Sequence, residues 1–121
     1  IGAAGWDVAV GLALEQARVD GQAAISLVRG ENADVLVRIE KDAVHARVRT
    51  AGGWQETRAA RPETKVLRLR LAERGGTVTV FINDQAALTA PQAKVALGSV
   101  LRFESTGMVW GMTDLQVVGG E

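Results

Sequence analysis

The residues best placed to do chemistry in this chain are arginines. Arg38, Arg47, Arg49, Arg68 and Arg70 each lie in a stretch where apolar and polar residues alternate, and each falls on the polar side of the alternation. If the strands that carry them share a sheet, all five guanidinium groups project from one face, with Glu40, His45, Thr79 and Phe81 among them. A guanidinium presents a planar fork of donors that matches carboxylate or sulfate geometry. Such a face suits an anionic glycan, for example a uronate polymer. Outward arginines on strands also keep a face soluble and pair with acids across the strands. Three tryptophans add a second kind of contact, because an exposed indole stacks on the C–H face of a sugar ring. Trp6 has inward parity and belongs to the core, Trp110 falls in a loop, and Trp54 follows a glycine pair beside the arginine-bearing strands. The expected ligand-binding set is therefore Arg38, His45, Arg47, Arg49, Trp54, Arg68 and Arg70.

Other chemistries find less support. His45 is the only histidine and there is no cysteine. Disulfides and thiolate metal sites are thus excluded, no His or Cys pair has zinc-ligand spacing, and a nucleophilic triad would have to be built on His45 alone. Glu31-Asn32-Ala33-Asp34 could offer oxygens to calcium, but its acids are sparse. No phosphate-binding or dinucleotide fingerprint occurs. The expectation is no catalytic residue, no metal and no cofactor: the chain is not read as an enzyme. Fourteen basic and fourteen acidic residues cancel, so no overall field recruits nucleic acid or an anionic membrane. No apolar run approaches the ~20 residues of a membrane span. The chain opens at Ile1 without a signal peptide and is read as a domain of a larger, bacterial protein, extracellular or in the cell envelope. Neighbouring domains of the parent chain would then be its partners.

The elements that must hold these side chains are strands. Trp6, Val8, Val10, Leu12 and Leu14 occupy every second position, the mark of a strand with one face buried. Further strands are expected at 23–29, 34–40, 43–50, 54–58, 65–73, 77–82, 86–89, 100–105 and 112–118. Lys41-Asp42 and Arg74-Gly75-Gly76 are hairpin links, and Asn83-Asp84-Gln85 is a tight turn. Only Pro91 to Gly98 could hold a helical turn, and that stretch is short and loop-like. Nine or ten short strands in 121 residues predict a single all-β domain, an antiparallel sandwich or barrel.

Four features resemble the concanavalin A-like (laminin-G-like) jelly-roll family over nearly the whole chain. They are the opening Trp6 strand, the glycines before Trp54, the pair Leu67-Arg68-Leu69-Arg70-Leu71 and Val78-Thr79-Val80-Phe81-Ile82-Asn83-Asp84-Gln85 around a Gly turn, and the closing Met112-Thr113-Asp114-Leu115-Gln116-Val117. Asp84 stands where the family commonly has Gly, and Met112 where it has an aromatic. The resemblance implies a two-sheet jelly-roll sandwich whose last strand pairs with its first. Hydrolases of this superfamily often carry Glu-x-Asp-x-x-Glu on one strand. Glu40-Lys41-Asp42-Ala43-Val44-His45 departs from that pattern at its last acid and at its turn-like centre. Three functions follow. The first is a non-catalytic carbohydrate-binding module, with Trp54 exposed and several arginines free of acid partners. The second is a structural or protein-interaction accessory domain, with an apolar patch near Trp110 and Met108 and arginines neutralised by Glu40 and Glu56. The third, remote, is a glycoside hydrolase using Glu40 and Glu104 in one cleft.

Overall fold

The computed structural model describes residues 3–16, 20–29, 32–95 and 100–120. Ten strands run through them: β1 (Ala3–Gln16), β2 (Gln22–Arg29), β3 (Asn32–Ile39), β4 (Ala43–Thr50), β5 (Gly53–Ala60), β6 (Val66–Arg74), β7 (Thr77–Ile82), β8 (Gln85–Ala90), β9 (Val100–Thr106) and β10 (Met108–Gly120). They form two five-stranded antiparallel sheets, β10-β1-β6-β7-β8 and β5-β4-β3-β2-β9. Among the described residues there is no helix.

The alternation read from the sequence decides which side chains meet between the sheets. Trp6, Val8, Val10 and Leu12 of β1 and Leu67, Leu69 and Leu71 of β6 pack against Val35, Val37 and Ile39 of β3 and Val44, Ala46 and Val48 of β4. Non-directional burial of these apolar faces drives the sheets together. As the resemblance implied, the last strand pairs with the first, from Ala3 opposite Gly120 to Gln16 opposite Met108. The Lys41-Asp42 link closes the β3–β4 hairpin, with the Glu40 amide donating to the Ala43 carbonyl at 2.8 Å. Asn83 and Asp84 take φ of 49° and 66°, the left-handed pair that a two-residue hairpin turn needs.

Two expectations are corrected. Residues 91–95 form no helical turn but a strap: the Ala51 amide donates to the Gln92 carbonyl at 3.0 Å, Lys94 to Arg49 at 2.7 Å, and Ala93 to Gly76 at 2.8 Å. The Ala93 and Lys94 amides and the Gln92 carbonyl are thus spent on the two sheets rather than on an i to i+4 ladder. Residues 96–98 of that stretch lie outside the described residues. Trp110 is not in a loop either. Gly107 turns the chain in one step at φ 65°, so β10 begins at Met108 and the Trp110 backbone already pairs with Leu14. The Trp110 side chain lies outside the description.

One buried acid secures an end of the sandwich. The Glu73 carboxylate, 8% exposed, accepts the Gly5 amide at 3.1 Å and the Gly76 amide at 3.3 Å. It thereby joins the irregular start of β1 to the β6–β7 turn, where Gly75 and Gly76 carry φ of 58° and 83°. Glu73→Ala leaves two amide donors unanswered and is expected to lower stability by about 1–3 kcal/mol, measured by urea unfolding.

Candidate functional site

Hydrogen-bonded register lines up the outward side chains of the β5-β4-β3-β2-β9 sheet in rows. One row runs Glu104, Ala24, Arg38, His45, Arg58 from β9 to β5. The next runs Arg102, Ser26, Leu36, Arg47, Glu56, and beyond it Arg49 lies opposite Trp54. Neighbouring rows repeat every two residues, about 7 Å, and neighbouring strands about 4.8 Å apart. A groove of about 280 Å³ sits over the β3–β5 end of these rows, lined by Leu36, Arg38, His45, Arg47, Glu56 and Arg58.

The side chains of this face fall into two groups. Some are committed. His45 Nε2 lies 2.7 Å from Glu40 Oε1. Arg49 Nη2 lies 2.6 Å from Oδ1 of Asp34, whose side chain is only 1% exposed. Arg102 pairs with Glu104. The others are open to a ligand. Arg38 and Arg58 are exposed and have no ion-pair partner among the described residues. Arg47 meets Glu56 only at 3.7 Å, while its guanidinium carbon stands 4.0 Å over the Trp54 ring. That cation–π contact orients the indole, and Trp54 is still 44% exposed. The face thus offers, in one groove, two guanidinium forks without ion-pair partners among the described residues, and an oriented aromatic ring two rows away.

The five arginines do not share a sheet. Arg38, Arg47 and Arg49 stand on β3 and β4, whereas Arg68 and Arg70 stand on β6, in the opposite sheet. Side-chain parity is the same for both sheets of a sandwich, so alternation could not tell them apart. Arg68 and Arg70 therefore face away from Trp54, and the site expected from seven residues divides into Arg38, His45, Arg47, Arg49 and Trp54 on one side and Arg68 and Arg70 on the other. Arg58 went unrecognised, although its parity with Trp54 and Glu56 on β5 was a usable signal.

Further expectations concern acids and apolar patches. Glu31 of the calcium-like loop lies outside the described residues, and Asp34 is held by Arg49. Among the described residues no three His, Asp or Glu side chains gather as metal ligands do. Met108 is buried, at 4% exposure, so no apolar patch centres on it. Exposed apolar side chains do lie further along β10, at Met112, Leu115, Val117 and Val118, besides Val100 of β9 and Trp54 of β5.

No known family model matches the sequence, and no curated protein matches it. Solved structures do. The galectin LEC-6 of Caenorhabditis elegans superposes with a TM-score of 0.65 at 20% identity, over 97% of this chain and 84% of that one. Sheep galectin-11 gives 0.67 at 12% identity over 96% and 91%. The carbohydrate-binding module CBM66 from Bacillus subtilis gives 0.69 at 11% identity over 97% and 76%. The fold is a concanavalin A-like jelly roll. An alginate lyase from Corynebacterium also shares it, with a TM-score of 0.64 at 12% identity over 97% of this chain and 59% of the lyase, so the fold does not separate binding from catalysis.

Proposed function

We propose that this domain is a non-catalytic carbohydrate-binding module whose ligand lies on the outer face of β3, β4 and β5. The observation that carries the reading is Trp54, oriented by Arg47 and open to solvent, on the same outer face as Arg38 and Arg58, which have no ion-pair partner among the described residues. A sugar ring stacks on the indole, and carboxylates of an acidic glycan take the two guanidinium forks. Jelly-roll relatives that include a carbohydrate-binding module support the class of ligand. The non-catalytic reading is supported by the acids themselves: Glu40, just past the end of β3, is engaged by His45, and Glu104 of β9 by Arg102, with β2 between β3 and β9.

The test is binding to uronate-rich and neutral polysaccharides at low and physiological salt. Wild-type protein is expected to bind the acidic polymers, more weakly as salt rises. Trp54→Ala is expected to weaken binding about tenfold, the loss of one stacking contact. Arg38→Ala/Arg58→Ala is expected to abolish the salt dependence. Silence of the wild-type protein across all polymers would overturn the proposal. A second reading, an accessory domain that docks neighbouring protein, is favoured by β10, where Met112, Leu115, Val117 and Val118 are each between 44% and 58% exposed. Under that reading, Leu115→Lys/Val117→Lys would prevent association with the parent protein and leave polysaccharide binding untouched.

A further inference from the structure

The arginines of β6 have a site of their own. A groove of about 400 Å³ lies on the outer face of the β10-β1-β6-β7-β8 sheet, with Ala9, Gly11, Arg68, Arg70, Asp84 and Gln116 among its lining. Register explains its shape. Gln116, Ala9, Arg70 and Phe81 form one row, and Gly11 lies opposite Arg68. The walls, β10 and β6, are two strand spacings apart, about 10 Å. Between them β1 contributes nothing larger than a methyl group at these rows.

The polar groups in the groove differ in freedom. Arg70 is fixed: its Nε donates to Asp7 Oδ1 at 3.0 Å and to Oδ2 at 3.1 Å, its Nη2 donates to Oδ2 as well, and its guanidinium lies 5.2 Å from the Phe81 ring. The hydrogen bonds and charge of Asp7 raise the Arg70 pKa above its ordinary value, and the same carboxylate offsets its charge. Arg68 is exposed, and its side chain has no partner among the described residues. Its backbone is held on both sides, the Arg68 amide donating to Asn83 Oδ1 at 2.9 Å and its carbonyl accepting from the Asn83 amide at 2.8 Å. A free fork therefore stands on a rigid base.

We propose that this groove is a second ligand site, independent of the β3–β5 face, for a short hydroxyl-rich chain bearing carboxylates, an oligouronate in chemical class. Arg68 takes a carboxylate through its fork. Asp84 accepts hydroxyl protons, and Gln116 both donates and accepts. Asp7 and Asp84 offset the two arginines, so the groove disfavours a dense polyanion such as a nucleic acid or a heavily sulfated chain. A ligand that supplies hydroxyl donors as well as an occasional carboxylate answers every group present. The domain would then hold saccharide on both of its outer faces.

The test is a titration of the 15N-labelled domain with a homogeneous oligouronate and with its neutral methyl ester. Amides of Ala9, Gly11 and Arg68 are expected to shift with the acid but not with the ester, in wild-type protein and equally in Trp54→Ala. Arg68→Ala is expected to weaken this response about tenfold or more, as the loss of a charge-assisted contact does. Arg68→Lys, which keeps the charge without the fork, should fall between. Because Arg68 is exposed, spectra of both variants should superpose on wild type elsewhere, and that check separates a lost ligand contact from a lost fold. Unmoved β1 and β6 amides, or an undiminished response in Arg68→Ala, would overturn the proposal. Response on β3–β5 alone would leave the first site standing and remove this one; response on β1 and β6 alone would do the reverse.

Discussion

Replacing Arg49 with alanine is expected to destabilise the domain by about 2–3 kcal/mol, below the ~3–5 kcal/mol of a fully buried pair because Arg49 itself reaches solvent. Asp34 is the reason. Its side chain is 1% exposed and Oδ1 stands 2.6 Å from Arg49 Nη2, so removing the guanidinium takes a charged partner from an enclosed carboxylate. The double variant Arg49→Ala/Asp34→Ala should lose less than the two single changes together, because neither charge is then left behind. Urea unfolding of the four proteins measures the coupling. An Arg49→Ala protein within about 0.5 kcal/mol of wild type would show that the pair carries no such weight. Arg49, selected in the sequence for its outward parity beside Trp54, is thereby placed in the architecture of the face, where it braces β4 against the start of β3.

Leu12→Ala is expected to cost about 3–5 kcal/mol, a large part of the ~5–15 kcal/mol that holds a domain folded. Leu12 is fully buried and sits in β1 between Leu67 of β6 and Met112 of β10. Truncation there opens a cavity against both sheets, and the flanking strands limit its collapse. Met112 supplies the contrast. It is the cross-strand partner of Leu12 yet 44% exposed, and Met112→Ala should cost under about 1 kcal/mol. Comparable losses at the two positions would mean that β10 is covered by something in solution.

These cases show which features could be read from residue order. The β3–β4 and β6–β7 hairpins were legible because Val35, Val37 and Ile39, then Leu67, Leu69 and Leu71, alternate with polar residues beside short polar turns. β5 was only half legible. It lies at a sheet edge, where Gln55 and Thr57 take inward parity without a core to bury them, so hydropathy does not alternate and Arg58 escaped notice. The assignment of strands to sheets was not legible at all. It depends on where the chain crosses the sandwich, after β1, β5, β8 and β9, and those crossings leave no mark on parity. Asp34 was missed for another reason: an acid near the start of a strand looks like a turn residue, and only the fold shows it enclosed.

The pairing of β1 with β10 places the two ends of the fold side by side, and this has a consequence in time. On the ribosome β1 emerges first, while its neighbour on that flank is made last. β2, β3, β4 and β5 can pair in sequence as each appears, but β1 must wait for β6 on one side and for β10 on the other. Until synthesis passes β10, the backbone donors and acceptors along that flank of β1 stay open, and an open edge of this length is a template for pairing with other chains. A nascent chain stalled between β9 and β10 would therefore be nearly folded and still adhesive along that one flank.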